Sequence, residues 1–380
     1  MSQPFLPYGR QEISDEDLAA VAAALREPMI TQGPRVADFE AAVCDFTGAK
    51  YAVAVSSGTA ALHAAAFAAG LGPGDVALVP PITFAASANC VRYTGAEVRF
   101  VDIDPVTLNL DVAAAARIAA EDDRVKAVVA VSFAGLPVDL DPLRDTALTV
   151  IEDGCHALGG RREGSMVGGP GGATMTSFSL HPVKAITSGE GGILTTEDEA
   201  LARFARRFRE HGIERSPEGA DGPWAYDITQ AGFNYRITDF QCALAQSQLA
   251  RLTEWVKARN EIAETYRELL AEEGLIELPP EASDGALHGY HLFVIRIKAG
   301  AAIRRRVFEG LREAAIGVQV HYVPIYRFAT YAGGYDPADF SNSEAYYAGA
   351  LSLPIFPSME HADVDRVVSE LRRLLAAEAR

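Results

Sequence analysis

Residues 51–70 read YAVAVSSGTAALHAAAFAAG. A short β-prone run, Tyr51–Val55, passes through Ser57-Gly58-Thr59 into an alanine-rich helical tract ending at about Ala69. The same grammar recurs downstream. Val76–Val79 precedes Pro80-Pro81 and a helix from about Thr83 to Tyr93, and further apolar runs follow at Val98–Val101, Ala127–Val131, Leu148–Ile151, Thr174–Phe178 and Gly192–Thr195. Apolar runs that alternate with helical segments predict an α/β fold with a mainly parallel seven-stranded sheet sandwiched by helices. In such sheets ligands gather beyond the carboxyl ends of the strands. The residues with chemistry here do follow strands: Ser57, Phe84, Asp153 and Ser179.

Outside this core, Ser14-Asp15-Glu16-Asp17 starts a helix to about Leu25, Met29–Pro34 forms a turn, and Val36–Phe46 is a second helix. On the other side, 198–210 is a charged amphipathic helix, 211–235 a long loop, and 239–272 a long helical tract. Pro279-Pro280 breaks the chain. Beyond it, Tyr290–Ile297, a helix near 301–315, Val318–Tyr322 and a helix after Asp363 form a smaller α+β unit. We expect a large domain, residues 1–250 including an N-terminal arm, and a small C-terminal domain, residues 251–380.

The 380 residues suffice for two sizeable cores. A formal net charge of −17 argues against a general nucleic-acid or anionic-membrane binder, although local donors can still hold a phosphate. The four cysteines lie far apart without zinc or redox spacing, which suits a reducing cytoplasm and no metal site. No basic segment followed by an apolar run opens the chain, so no signal peptide is expected, and Ser56–Thr59 and His63 interrupt the one alanine-rich stretch that resembles a membrane span.

The chemistry is concentrated in 177–192, SFSLHPVKAITSGEGG. Lys184, one of only five lysines, has small and polar neighbours instead of the charges of a solvated face. Such a lysine serves as a surface charge, a phosphate ligand or an amine nucleophile, and the last role requires a lowered pKa. Other signals have plain explanations when taken singly. Ser57-Gly58-Thr59 is a helix N-cap or a phosphate site. Asp153 caps the next turn or pairs with a cationic ring nitrogen. His156 is a structural residue, a general base or an orienter. Cys155 packs as a small residue in preference to acting as a nucleophile, and Phe84 packs in a core or stacks on a planar ring. Taken together they describe one ligand: a phosphate, an aromatic ring with a protonatable nitrogen, and an aldehyde for Lys184. That ligand is pyridoxal 5′-phosphate.

The chain resembles, over nearly its whole length, the DegT/DnrJ/EryC1/StrS sugar-nucleotide aminotransferases, which are fold type I pyridoxal-phosphate enzymes. The resemblance is carried by Thr31-Gln32-Gly33-Pro34, Ser56–Leu62, Pro81-Ile82-Thr83-Phe84, Glu152–Ala157, the Lys184 stretch, Gly232–Arg236 and His321-Tyr322. The Lys184 stretch and the opening Pro7-Tyr8-Gly9-Arg10-Gln11 are most similar to the branch that makes UDP-4-amino-4,6-dideoxy-N-acetyl-β-L-altrosamine, a pseudaminic acid precursor. The family usually has Ala at Gly154, a departure that touches rigidity and not a functional group.

The resemblance implies that Lys184 binds the cofactor as a Schiff base and shuttles the proton, with Asp153 at the ring nitrogen and His156 beside them. Ser57, Gly58, Thr59 and Ser179 are implied to hold the phosphate, Phe84 and Cys155 to flank the ring, and Asn234 to reach the cofactor of a partner subunit in a homodimer. Tyr8, Met29, Ile30, Thr31, Gln32, Arg236, His321, Tyr322, Val323 and Pro324 are implied candidates for the substrate, with Arg236 or Arg215 meeting the donor carboxylates. The implied reaction moves an amino group from L-glutamate to a UDP-linked 4-keto sugar in two half-reactions. A dTDP- or GDP-linked sugar aminated at C3 or C4 is the alternative. A sugar dehydratase with His in place of Lys, a non-catalytic regulator and a Cys155–His156 hydrolase fit the residues less well.

Overall fold

The computed structural model describes residues 4–162, 164–215, 222 and 224–378. Seven strands form the central sheet: β1 Tyr51–Val55, β2 Val76–Val79, β3 Glu97–Phe100, β4 Val125–Val131, β5 Thr149–Asp153, β6 Met175–Ser179 and β7 Gly192–Thr196. Their spatial order is β1-β7-β6-β5-β4-β2-β3. β2 through β6 pair in parallel, and only β7 opposes its neighbours β1 and β6. The ends of β1, β2, β5 and β6 therefore share one edge with the start of β7.

Four helices place the residues that matter most: α1 Asp15–Ala24, α2 Pro34–Thr47, α3 Gly58–Ala68 and α4 Ala85–Tyr93. The alanines of α3 are buried almost all round the helix, and their small side chains let it lie close between the sheet and α4. This close approach keeps the N-terminus of α3 against the end of β6. Among the described residues no helix is long and apolar enough to cross a membrane.

Three expectations change. The tract 239–272 is two helices, Asp239–Leu249 and Leu252–Leu270. The break lets the second helix change partners: Leu252 and Val256 pack in the core beside β6 and β7, whereas Ile262, Tyr266 and Leu270 pack in the C-terminal core. Val318–Tyr322 is not a strand; it makes one bridge, Gln319 to Ser352. The strand beside Phe293–Ile297 is instead Ala350–Leu353, which also bears that bridge. Within 211–235, Ile213–Glu214 pairs with Asp227–Ile228, and residues 216–221 and 223 lie outside the described residues. At the N-terminal arm, Leu6 packs in the C-terminal core and bonds to Ala315 and Gly317.

One buried carboxylate ties the arm down. Asp17 accepts from Ser247 Oγ at 2.6 Å, Arg251 Nη2 at 2.6 Å, Gln248 Nε2 at 3.1 Å and Ser14 N at 3.0 Å. Burial raises its pKa, but these donors together outweigh burial and hold it below the ordinary value. A depressed carboxyl pKa stabilises the fold above the unfolded pKa, and that contribution is lost as pH falls through the folded value. Asp17→Asn is expected to cost roughly 2–4 kcal/mol at pH 7. The deficit should shrink as urea unfolding is repeated below about pH 4, where the unfolded carboxyl protonates. A deficit independent of pH contradicts this account.

Candidate active site

A cavity of about 640 Å³ opens at the shared strand edge. At one end lies the turn from β1 into α3. Ser57 caps α3 by accepting from Ala60 N at 3.1 Å, and the first-turn N–H groups of Gly58 and Thr59 have no acceptor within the helix. Crowding explains the glycine of this turn, Gly58, and the one that opens the adjacent β7, Gly192. A Cβ at Gly58 would lie 2.7 Å from Ser179 Cβ, and one at Gly192 would lie 2.2 Å from the Ser57 carbonyl oxygen. The result is a bare helix N-terminus faced by the hydroxyls of Ser57, Thr59 and Ser179, a geometry that suits a phosphate.

Asp153, the last residue of β5, is 5% exposed. Its Oδ1 accepts from Cys155 N at 3.1 Å and its Oδ2 from Ser87 Oγ at 2.6 Å. Phe84 precedes α4 and is 60% exposed, which is unusual for a phenyl ring and leaves a stacking face uncovered in the cavity. Cys155 has its thiol pKa raised well above the ordinary value by burial and then by the charge of Asp153, so it is a neutral packing group and not a nucleophile. Gly154 has a local reason as well: a methyl there would come within 2.8 Å of the Phe178 ring.

Lys184 lies on the turn after β6, with its N–H donating to His181 O at 2.8 Å. Burial lowers the pKa of its amine, while the Asp153 charge pulls it back up. Four of the eight histidines of the chain, His156, His181, His291 and His321, line the same cavity. Burial holds His156, His291 and His321 neutral, and the Lys184 charge adds to that effect. His156 Nδ1 accepts from Ala134 N at 3.3 Å, so the ring proton is on Nε2, which faces the Tyr322 hydroxyl at 3.2 Å. In this arrangement His156 orients Tyr322 and has no free lone pair with which to act as a base. His321 Nδ1 bonds to Ser352 Oγ at 2.8 Å, and Tyr8 on the arm sets its ring 5.5 Å from His321.

Thus Lys184, Asp153, His156, Ser57, Gly58, Thr59, Phe84, Cys155, Ser179, Tyr8, His321 and Tyr322 meet in one cavity. Other candidates do not line it within one chain. Val323 is absent from the lining, and Pro324 is buried where Ile325 N donates to Pro81 O at 2.9 Å. Met29, Ile30, Thr31, Gln32 and Asn234 form a separate surface group. It is joined by the bridges Thr31–Thr238 and Glu210–Asn234 and by a hydrogen bond from Gln32 to Glu210. Arg236 and the exposed Arg215 are also absent from the lining. Sequence reading missed His181, Glu190, His291 and the Thr83–Ser87 pair as site residues. The scarcity of histidine was a usable signal for the first and third. Ser87 had none, because its contact with Asp153 spans 66 positions.

Asp153→Asn is expected to lower the Lys184 pKa further in the ligand-free protein, since it removes a negative charge that favours the ammonium. The pH dependence of Lys184 labelling by an amine-selective reagent, read by peptide mapping, tests this. A midpoint that stays or rises contradicts the geometry.

Residues 11–372 match the model of the DegT/DnrJ/EryC1/StrS aminotransferase family. The spore coat polysaccharide biosynthesis protein SpsC of Bacillus subtilis is 38% identical over 98% of this chain and 97% of its own. The UDP-4-amino-4-deoxy-L-arabinose–oxoglutarate aminotransferase of Shewanella sediminis is 34% identical over 99% of both chains. The solved structure of Helicobacter pylori PseC, an aminotransferase involved in pseudaminic acid biosynthesis, superposes with a TM-score of 0.91 at 27% identity, over 98% of this chain and 100% of its own. With the family match spanning nearly the full length and a lysine, a carboxylate and a bare helix N-terminus sharing one cavity, the chain belongs to the DegT/DnrJ/EryC1/StrS aminotransferase family.

Proposed function

We propose that the protein moves an amino group from L-glutamate to C4 of a UDP-linked 4-keto-6-deoxy-N-acetylhexosamine, a step towards pseudaminic acid, using pyridoxal 5′-phosphate. The observation that carries this reading is the convergence of Lys184, Asp153 and the Gly58 turn on one cavity of about 640 Å³, within the usual range for small-ligand sites. The residues fit the cofactor: a desolvated amine, a buried carboxylate, an uncovered phenyl ring and an N-terminal cradle that a Cβ at Gly58 would fill. Similarity to PseC supports the pathway, and the Shewanella relative supports a UDP-linked sugar and the glutamate–oxoglutarate pair.

When bound, pyridoxal phosphate supplies a carbonyl for the lysine and a protonated ring that withdraws electrons from the reacting carbon. The chain supplies the rest. The Gly58 and Thr59 amides with Ser57 and Ser179 hold the phosphate; Phe84 and Cys155 confine the ring; the Asp153 carboxylate keeps a proton on the ring nitrogen. Lys184 Nζ, its pKa already lowered, would take the proton from the α-carbon of the donor and pass it to the cofactor's C4′, and in the second half-reaction would move a proton from that position to the sugar carbon that receives the amine. Tyr8, His321 and Tyr322, the last oriented by His156, face the sugar.

We assign Asn234, Arg236 and Met29–Gln32 to the cavity of a second subunit, which makes the working unit a homodimer. Met29 and Ile30 are 48% and 46% exposed, and the group they form with Asn234 lies outside the cavity of its own chain. The four cysteines are unpaired, which suits the cytoplasm as the place of action. A different nucleotide keto-sugar is the second reading, since the two named aminotransferase relatives serve different sugars.

Purified protein is expected to be yellow and to retain pyridoxal on Lys184 after borohydride reduction, with both properties lost in Lys184→Ala. Among UDP-, dTDP- and GDP-linked 4-keto sugars offered with glutamate, the UDP-linked N-acetyl sugar should be aminated fastest. A colourless protein after reconstitution, or amination of none of these sugars, sinks the proposal.

A further inference from the structure

We propose that Ser87 and Thr83 form a two-hydroxyl relay that positions the Asp153 carboxylate and biases it to remain charged against the ring nitrogen. The relay rests on the cofactor reading above and extends it to two hydroxyls behind Asp153, of which Thr83 borders the cavity and Ser87 does not line it. Thr83 lies just before α4 and Ser87 is the third residue of that helix, and the turn between them brings the two hydroxyls together. They are 2% and 0% exposed. Thr83 Oγ1 and Ser87 Oγ are 2.7 Å apart, and Ser87 Oγ is 2.6 Å from Asp153 Oδ2.

Proton counting sets the direction. A carboxylate only accepts, so the single Ser87 proton goes to Asp153. The Ser87 oxygen is then the acceptor for the Thr83 hydroxyl, and the chain runs Thr83 to Ser87 to Asp153. Each bond polarises the next in a site sheltered from water. With Cys155 N on Oδ1 and Ser87 on Oδ2, both carboxylate oxygens are held, and the orientation of the group is fixed before any ring arrives. Hydrogen bonds donated to a charged group favour the charged form. The proton between Asp153 and the ring nitrogen is thereby kept on the nitrogen, where it makes the ring an electron sink. Ser87 is a positioning residue: it acts through Asp153 and touches neither cofactor nor substrate.

Four titratable groups sense the Asp153 charge, Lys184, Cys155, Cys90 and Tyr322, and all are left in place by changes at Ser87 or Thr83. The test is the pH titration of the visible absorption band of the cofactor-loaded protein, together with the dissociation constant for pyridoxal phosphate by equilibrium dialysis. Ser87→Ala lets the ring lose positive charge, and a less charged ring raises the basicity of the lysine-bound nitrogen. The midpoint should therefore rise by about half a unit to one unit, and cofactor should be held several-fold more weakly. Ser87→Thr, which keeps the donor, should restore the midpoint. Thr83→Val, which leaves Ser87 in place, should shift it in the same direction by less, and it carries the test if Ser87→Ala fails to fold. An unchanged midpoint in folded Ser87→Ala, or in Thr83→Val where that variant carries the test, overturns the relay. A wild-type protein lacking a visible band that depends on Lys184 would instead defeat the cofactor reading, so the two failures are distinguishable.

Discussion

The Lys184 amine and the Asp153 carboxylate share one cavity, and the rest of the structure is arranged around that pair. Burial drives Lys184 towards neutrality, while the Asp153 charge restrains the shift. The imidazoles of His156, His291 and His321 are kept neutral by burial, so they add no positive charge against the ammonium. A surface lysine would lack the desolvation, and a fully isolated one would be costly to bury.

The sheet makes this arrangement affordable. Six strands end at one edge and antiparallel β7 starts there, so Ser57, Asp153, Ser179 and Gly192 arrive at the same place from distant parts of the chain. Rigid strand ends hold side chains more exactly than free loops do. The close contacts of Gly58 with Ser179 and of Gly192 with Ser57 show how tightly the edge is packed, since neither position has room for a Cβ. On the opposite wall the C-terminal unit supplies His291, His321 and Tyr322, and the N-terminal arm returns Tyr8. That wall is anchored by Leu6 in one core and by Asp17 beside another, so cavity shape and arm attachment are physically linked.

Much of this was legible in one dimension. Alternating apolar runs gave away the seven strands because a strand buried on both faces has to be apolar throughout. The Gly58 and Lys184 stretches stood out because bare turns rich in glycine and serine are poor structural elements yet good ligand sites. The misreadings share a cause. The helical tract 239–272 kept its periodicity through Ala250 and Arg251, and only the need to pack against two cores breaks it. Val318–Tyr322 has strand composition, but Ala350–Leu353 took the place beside Phe293–Ile297.

What the chain order alone determined was the class of fold and the placing of Ser57, Phe84, Asp153 and Ser179 after strands, because each is written in local pattern. What only the folded molecule decided was which of those residues face one another. His156 turns its protonated nitrogen to Tyr322, Ser87 reaches Asp153 across 66 positions, and Asn234 with Met29–Gln32 sits away from the cavity of its own chain. Such pairings depend on distances between segments remote in sequence, and no local periodicity encodes them.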